Sequence, residues 1–332
     1  MTRVVIYSAH AFERPFLEAA LPAEMEFIYR NETLSAGTAG LSAGCDGVAV
    51  FTSDQVNEPA LQALKKCGAR FVVTRSAGYD HIDLAAAHRL GIRVANVPGY
   101  SPSSVAEHAV ALMLALSRKL ILSDRQVKAH NFSLDHLVGM NLEGKTVGVI
   151  GTGKIGARLI RILHGFGCRL LAFDVMENPS LVSDFGVQYC ALDPLCAQSD
   201  IITLHTPLKK ETTYLLHAGN IAKMKEGVML INTARGKVVN TRDVLEGLRS
   251  GRIGSFGMDV YEHEKGIFFE DLSEKKLEDP LLSELIQLPQ VLITPHQAFL
   301  TDTSLKNIAQ ITADNIRWFT AGEVNANELF PG

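Results

Sequence analysis

The stretch Thr146-Val-Gly-Val-Ile-Gly151-Thr-Gly153-Lys-Ile-Gly156 decides the fold. A mostly apolar run comes first, then three glycines at G-x-G-x-x-G spacing, then the helical run Ala157 to Phe166. Such a glycine triplet is a weak signal alone; set between a strand and a helix it marks a dinucleotide-binding turn. Gly151 permits the tight turn, Gly153 lets the backbone approach a pyrophosphate, and Gly156 lets helix and strand pack closely. The helix start adds unpaired N–H groups and a positive dipole, with the phosphates expected over Lys154 and Ile155. The next apolar run, Arg169 to Asp174, ends in an acid placed to accept from ribose hydroxyls and to repel a 2′-phosphate. No arginine follows in Val175-Met176-Glu177, so the pattern predicts NAD rather than NADP. A glycine-rich turn with a merely capping carboxylate is the plainer alternative.

Outward from this turn the chain alternates strands and helices. Thr146 to Ile150, Arg169 to Asp174, Asp200 to Leu204, Val228 to Asn232, Gly254 to Val260 and Val291 to Thr294 read as strands, several fully apolar, as buried parallel strands are. Before it, Val4 to Tyr7, Val48 to Phe51, Phe71 to Thr74 and Arg93 to Asn96 alternate with helical stretches at Pro59 to Cys67 and Leu84 to Leu90. The breakers Pro98 and Gly99 separate the two series, and an apolar helix begins near Ser103. That helix is apolar around most of its circumference and needs burial from several sides, in its own chain or against another subunit. The last helical stretch, Thr303 to about Phe319, is free to return to the first series. The expected fold is α/β, with two doubly wound parallel-sheet (Rossmann-like) domains. Residues 1–99 and 298–332 would form a substrate-binding domain completed by the C-terminal segment, and residues 100–297 the NAD-binding domain.

At 332 residues with 47% hydrophobic side chains, the chain is long enough for two cores. Its 32 basic and 36 acidic residues nearly cancel, without a long single-sign run, which argues against nucleic acid as a partner. The N-terminus turns polar too soon for an export signal, and the apolar stretch Ala109 to Leu116 is too short to span a bilayer. Five widely spaced cysteines form no Cys-x-x-Cys or Cys/His cluster, so neither a metal nor a disulfide framework is expected. These features together predict a cytoplasmic protein.

Three strand ends carry reactive side chains. Arg235 follows the strand Val228 to Asn232, at the carboxyl edge where doubly wound sheets bind ligands and where a guanidinium suits a carboxylate. His296 ends the strand Val291 to Thr294, and an imidazole suits general acid/base work, although ten other histidines compete. Asp259, Glu262 and Glu264 cluster after the strand Gly254 to Val260, and any of them can serve an imidazole, raising its proton affinity and fixing its tautomer.

With these residues in view the chain resembles the D-isomer-specific 2-hydroxyacid dehydrogenase family over essentially its full length. The resemblance rests on Gly151-Thr-Gly-Lys-Ile-Gly156, Asn232-Thr-Ala-Arg235-Gly236, Gly257-Met-Asp-Val-Tyr-Glu-His-Glu264 with Phe268-Phe-Glu-Asp271, and Pro295-His296-Gln-Ala-Phe-Leu-Thr301. It implies reversible hydride transfer from NADH to a 2-keto acid, with pyruvate and D-lactate the leading pair. Arg235 then binds the substrate, His296 is the proton donor, and Glu264 supports it, with Glu262 more remote. The resemblance also implies that Thr206, Pro207, Thr233, Ala234 and Asp259 line the cofactor, with His205 a weaker candidate. Backbone N–H groups of Ala77 and Gly78 would hold the substrate carboxylate, and Tyr100, Phe299 and Phe51 would wall the pocket. A homodimer or homotetramer is implied as well.

Two departures stand out. Phe51 occupies a place where some relatives carry tyrosine, and Thr294-Pro295-His296 replaces the Thr-Gly-His of close relatives, which stiffens the backbone there and keeps the proton donor. The rival readings are a reductase for bulkier 2-keto acids, which shares the catalytic trio, and an NAD-sensing scaffold without turnover.

Overall fold

The computed structural model describes residues 1–331, and the chain divides into two compact units. One is Met1–Ser101 with the chain from Leu300 onward; the other is Pro102–Phe299.

In the first unit β1 (Arg3–Ile6), β2 (Glu26–Tyr29), β3 (Gly47–Val50), β4 (Phe71–Thr74) and β5 (Arg93–Ala95) form an all-parallel sheet of order β2-β1-β3-β4-β5. The inner strands β1, β3 and β4 are largely apolar on both faces because helices cover both. Val5, Val48, Val50 and Val72 pack with Leu61 and Leu64 of helix Glu58–Lys66. Their neighbours in sequence, Val4, Ile6, Ala49 and Val73, pack with Leu17, Ala309 and Ile316 on the other side, the two-residue alternation of a pleated strand. Ala309 and Ile316 belong to helix Asp302–Ala321, so the C-terminal segment completes the first unit, as expected. Thr301 caps that helix by accepting from the Ser304 amide, and Gly322, at φ 73°, ends it.

The second unit holds β6 (Thr146–Ile150), β7 (Arg169–Phe173), β8 (Gln188–Tyr189), β9 (Ile201–Leu204), β10 (Val228–Asn232), β11 (Ile253–Met258) and β12 (Val291–Ile293). They form a parallel sheet of order β12-β11-β10-β9-β6-β7-β8. The chain runs outward from β6 to β8, returns to lay β9 beside β6, and runs outward the other way. The carboxyl ends of β6 and β9 therefore flank the switch point where doubly wound sheets bind ligands.

Helix Pro102–Ser117 packs against helix Lys154–Gly165 and against β10 and β11. Its Val105, Ala106, Ala109, Leu112 and Met113 are buried there, so most of its apolar circumference is used within its own unit. The sequence reading gave no helix at Arg14–Ala20 and no strands at β2 and β8. β2 and β8 are edge strands whose residues are exposed or only half-buried, so neither carries a continuous apolar run. Among the described residues no helix is long and apolar enough to cross a membrane.

Candidate active site

Gly151 follows β6 with φ 94°, and a Cβ there would lie 2.7 Å from the carbonyl oxygen of His205, which follows β9. A Cβ at Gly156 would lie 2.0 Å from the Gly151 carbonyl oxygen. Only glycine lets strand, turn and helix approach this closely. Gly153 instead faces open space at the helix N-cap, where Lys154 and Ile155 begin the helix. The triplet thus packs two glycines inward and leaves the third beside a ready-made anion site.

Asp174 follows β7 and accepts from Thr152 N (2.6 Å), Thr152 Oγ1 (3.0 Å) and Met176 N (3.1 Å). Burial works against its charge, but these hydrogen bonds outweigh burial and hold the carboxyl below the usual range. Tyr189 Oη donates to Thr152 Oγ1 (2.9 Å) and steadies the same turn. At the ends of β9 and β10 the Thr206 and Thr233 hydroxyls and His205 Nδ1 are buried without a hydrogen-bond partner. Orphans of this kind cost about 1–3 kcal/mol each, a penalty that a polar ligand removes. His205 Nε2 bonds Thr203 Oγ1 at 2.9 Å, and burial pushes the ring down to about 3, so it stays neutral at working pH. Pro207 is exposed and Ala234 half-buried beside these groups. An open helix N-terminus, an ionised strand-end acid and orphaned hydroxyls at the neighbouring strand ends fit a dinucleotide.

Arg235 lies just past β10. Asn232 ties its turn down, accepting from Ala234 N (3.1 Å) and donating from Nδ2 to the Arg235 carbonyl (3.0 Å). A Cβ at Gly236 would fall 2.0 Å from the Tyr261 carbonyl carbon, so the turn lies directly on the backbone beyond β11. That backbone carries the three acids, and the structure gives each a different partner. Glu264 Oε2 is 2.9 Å from His296 Nδ1, and its Oε1 accepts from Tyr261 N (2.8 Å). Glu262 takes the Tyr214 hydroxyl and the Thr241 amide, turned to other elements. Asp259 is fully buried, accepting from Thr294 Oγ1 (2.6 Å), Gln297 N (2.8 Å) and Ala298 N (2.9 Å).

For His296, burial opposes the charged form; Glu264 and Asp259 together outweigh burial and the opposing charge of Arg235, so the proton affinity is raised. Phe269 and Phe299 flank the ring at centroid distances of 5.6 and 6.5 Å. The second unit thus gathers Arg235, Glu264, His296, Asp259 and Phe299 at the carboxyl ends of β10, β11 and β12. Among the described residues no His/Cys/Asp/Glu group suited to a metal ion is found.

Phe51, Ala77, Gly78 and Tyr100 belong to the first unit. The Ser76 carbonyl accepts from Val97 N (3.0 Å), and the Ala77 carbonyl accepts from Asn96 Nδ2 (2.8 Å). In a trans peptide N–H and C=O point in opposite directions, so these bonds turn the Ala77 and Gly78 N–H groups away from Asn96 and Val97. Phe51 is buried, its ring 5.0 Å from His10, 6.5 Å from Phe12 and 5.6 Å from the Arg75 guanidinium. The Tyr100 carbonyl accepts from Asn307 Nδ2 (2.5 Å). Sequence reasoning gave no role to the side chains of Tyr189, Thr294 and His108, whose partners Thr152, Asp259 and Thr294 lie far away in the chain.

Comparison with known proteins follows the same residues. The sequence model described as D-isomer specific 2-hydroxyacid dehydrogenase, NAD binding domain, matches residues 110–298, which include the glycine turn, Arg235, Glu264 and His296. The chain is 41% identical over 330 residues to D-lactate dehydrogenase of Escherichia coli, covering 98% of this chain and 99% of that protein. It is 39% identical over 289 residues to an aromatic 2-oxoacid reductase of Clostridium sporogenes, 87% of each. Among solved structures, D-lactate dehydrogenase from Aquifex aeolicus complexed with NAD and lactic acid matches with a TM-score of 0.89 at 35% identity, covering 99% of both chains. The chain belongs to the D-isomer-specific 2-hydroxyacid dehydrogenase family, NAD-dependent oxidoreductases, and residues 110–298 are its NAD-binding domain.

Proposed function

We propose that the protein reduces pyruvate to D-lactate and catalyses the reverse oxidation. The observation that carries this reading is the 2.9 Å contact of Glu264 with His296 Nδ1, in a cluster where the Arg235 charge is also felt. Bound NADH supplies the hydride to the substrate's C2. Arg235 binds the carboxylate, for which a planar guanidinium is suited, and stabilises the developing alkoxide. Glu264 fixes His296 with Nδ1 protonated, so Nε2 is the nitrogen that delivers the proton in reduction and accepts it in oxidation. Gly151, Gly153, Lys154, Ile155, Gly156 and Asp174 hold the nucleotide, with Thr206, Pro207, Thr233, Ala234 and Asp259 towards its inner end. The first unit is the substrate-binding domain, with the Ala77 and Gly78 N–H groups for the carboxylate and Phe51 and Tyr100 for the substrate's size; Phe299 is the substrate-binding aromatic residue of the second unit.

Pyruvate as substrate is supported by the 41% identity to the Escherichia coli D-lactate dehydrogenase. The likeness to the aromatic 2-oxoacid reductase favours a second reading with the same machinery and a bulkier keto acid. Comparison of kcat/KM for pyruvate, 2-ketobutyrate, 2-ketoisocaproate, phenylpyruvate and hydroxypyruvate separates them. Pyruvate is expected to lead, and a lead for phenylpyruvate or 2-ketoisocaproate would replace the substrate and keep the mechanism. The protein is proposed to be cytoplasmic and a homodimer or homotetramer. Exposed Leu120, Ile121, Phe132, Leu134 and Val138 offer apolar surface for such a contact.

A further inference from the structure

One histidine of helix Pro102–Ser117 reaches the active-site strand ends. His108 Nε2 lies 2.9 Å from Thr294 Oγ1, which lies 2.6 Å from Asp259 Oδ1. Asp259 in turn receives the amides of Gln297 and Ala298, the two residues after His296. Its backbone takes part too: the Asp259 carbonyl accepts from His296 N at 2.7 Å. His296 needs this support, because its φ of 54° lies in the left-handed region that side-chain-bearing residues rarely occupy.

The direction of each bond in the chain follows from donor capacity. An ionised carboxylate only accepts, so the one hydroxyl proton of Thr294 goes to Asp259. The Thr294 oxygen is then left to accept, and His108 must present Nε2–H. The imidazole therefore pins the hydroxyl, the hydroxyl pins the buried carboxylate, and the carboxylate pins the turn that aims His296. Loss of His108 removes the bond that holds the Thr294 oxygen and an N–H 3.5 Å from Asp259 Oδ1, leaving the carboxylate a less firmly held Thr294 hydroxyl and the backbone amides of the turn.

We infer that His108 is a positioning residue for the proton donor, acting through Thr294 and Asp259 on the His296 turn. The inference rests on His296 being the proton donor. His108→Leu removes the donor, Thr294→Val removes the relay, and His108→Gln keeps an N–H donor at similar reach. His108→Leu is expected to lower kcat for keto-acid reduction by about 10- to 100-fold, the scale of a small misplacement of a reacting group. The KM for NADH should change less than twofold. Thr294→Val should match that loss, the double variant should be no worse than either single one, and His108→Gln should recover most of the rate. In 15N-histidine-labelled protein the ring nitrogens of His296 should titrate at lower pH in His108→Leu than in the parent. That readout needs no turnover, so it stands even if the substrate assignment fails. An unchanged kcat together with an unchanged His296 titration in His108→Leu would overturn the inference. So would fully additive losses in the double variant, or a His108→Gln variant as impaired as His108→Leu.

Discussion

Glu264 Oε2 lies 2.9 Å from His296 Nδ1, and the Tyr261 amide holds the other oxygen of the same carboxylate at 2.8 Å. The acid is fixed at both ends and, with Asp259, overcomes the burial that disfavours a charged ring, so His296 keeps its proton to higher pH than a free imidazole. In the proposed mechanism reduction needs the protonated ring, so its rate should fall as pH rises through that proton affinity. Glu264→Gln removes the negative charge and lowers the affinity. The falling limb of keto-acid reduction should therefore move to lower pH, and the rising limb of hydroxy-acid oxidation should move the same way. A pH profile of kcat/KM in both directions checks this, and unmoved limbs would separate Glu264 from the proton donor.

Removing the imidazole itself is a harsher change. His296→Gln keeps a polar side chain of similar reach and no group that titrates near neutrality. Turnover should fall by about 10²- to 10⁴-fold, the usual range for a lost general acid. NADH affinity, measured by fluorescence titration, should stay close to the parent value. A rate within a fewfold of the parent would take His296 out of the reaction.

Spacing alone leaves open which acid serves His296; the family resemblance points to Glu264, and the reason for the silence of spacing is specific. Asp259, Glu262 and Glu264 sit within six positions of one another, but their partners lie elsewhere: Thr294 for Asp259, Tyr214 for Glu262, His296 for Glu264. Spacing cannot distinguish three carboxylates whose roles are set by contacts from other strands. The nucleotide turn was legible because its determinants are local, a strand, three glycines and a helix in one run. β4, β6 and β10 were legible because a buried parallel strand must be apolar on both faces, whereas the half-exposed β2 carries no such pattern. Sequence reasoning assigns no role to the side chain of Arg75, just before the Ala77-Gly78 loop, yet that side chain is wholly buried.

That burial gives a stability prediction. Arg75 Nε and Nη2 pair with Glu13 at 2.9 Å, Nη1 donates to the Ala49 carbonyl, and Nη2 also donates to the carbonyls of Tyr7 and Ser8. The guanidinium thus joins the ends of β1 and β3 to the start of helix Arg14–Ala20. Arg75→Met leaves the Glu13 carboxylate buried and unpaired, which should destabilise the first unit by about 3–5 kcal/mol. Urea unfolding followed by fluorescence should show an earlier transition, partly restored by adding Glu13→Leu. An unchanged midpoint in Arg75→Met would contradict the role given to the pair.

Asp174 is proposed to set the choice of nucleotide by its charge. Asp174→Ser removes the carboxylate that repels a 2′-phosphate and keeps a small acceptor near the Thr152 amide. The ratio of kcat/KM for NADH over NADPH should fall by at least about tenfold, the factor that corresponds to about 1.4 kcal/mol of discrimination. Equal use of both nucleotides by the parent protein would show that Asp174 does not face the ribose.

The most direct test of the account is chiral analysis of the product when the purified protein consumes NADH with pyruvate. The proposed function, supported by membership of the D-isomer-specific family, predicts turnover that yields D-lactate alone. L-lactate as the product, or NADH binding without turnover of any 2-keto acid, would contradict it.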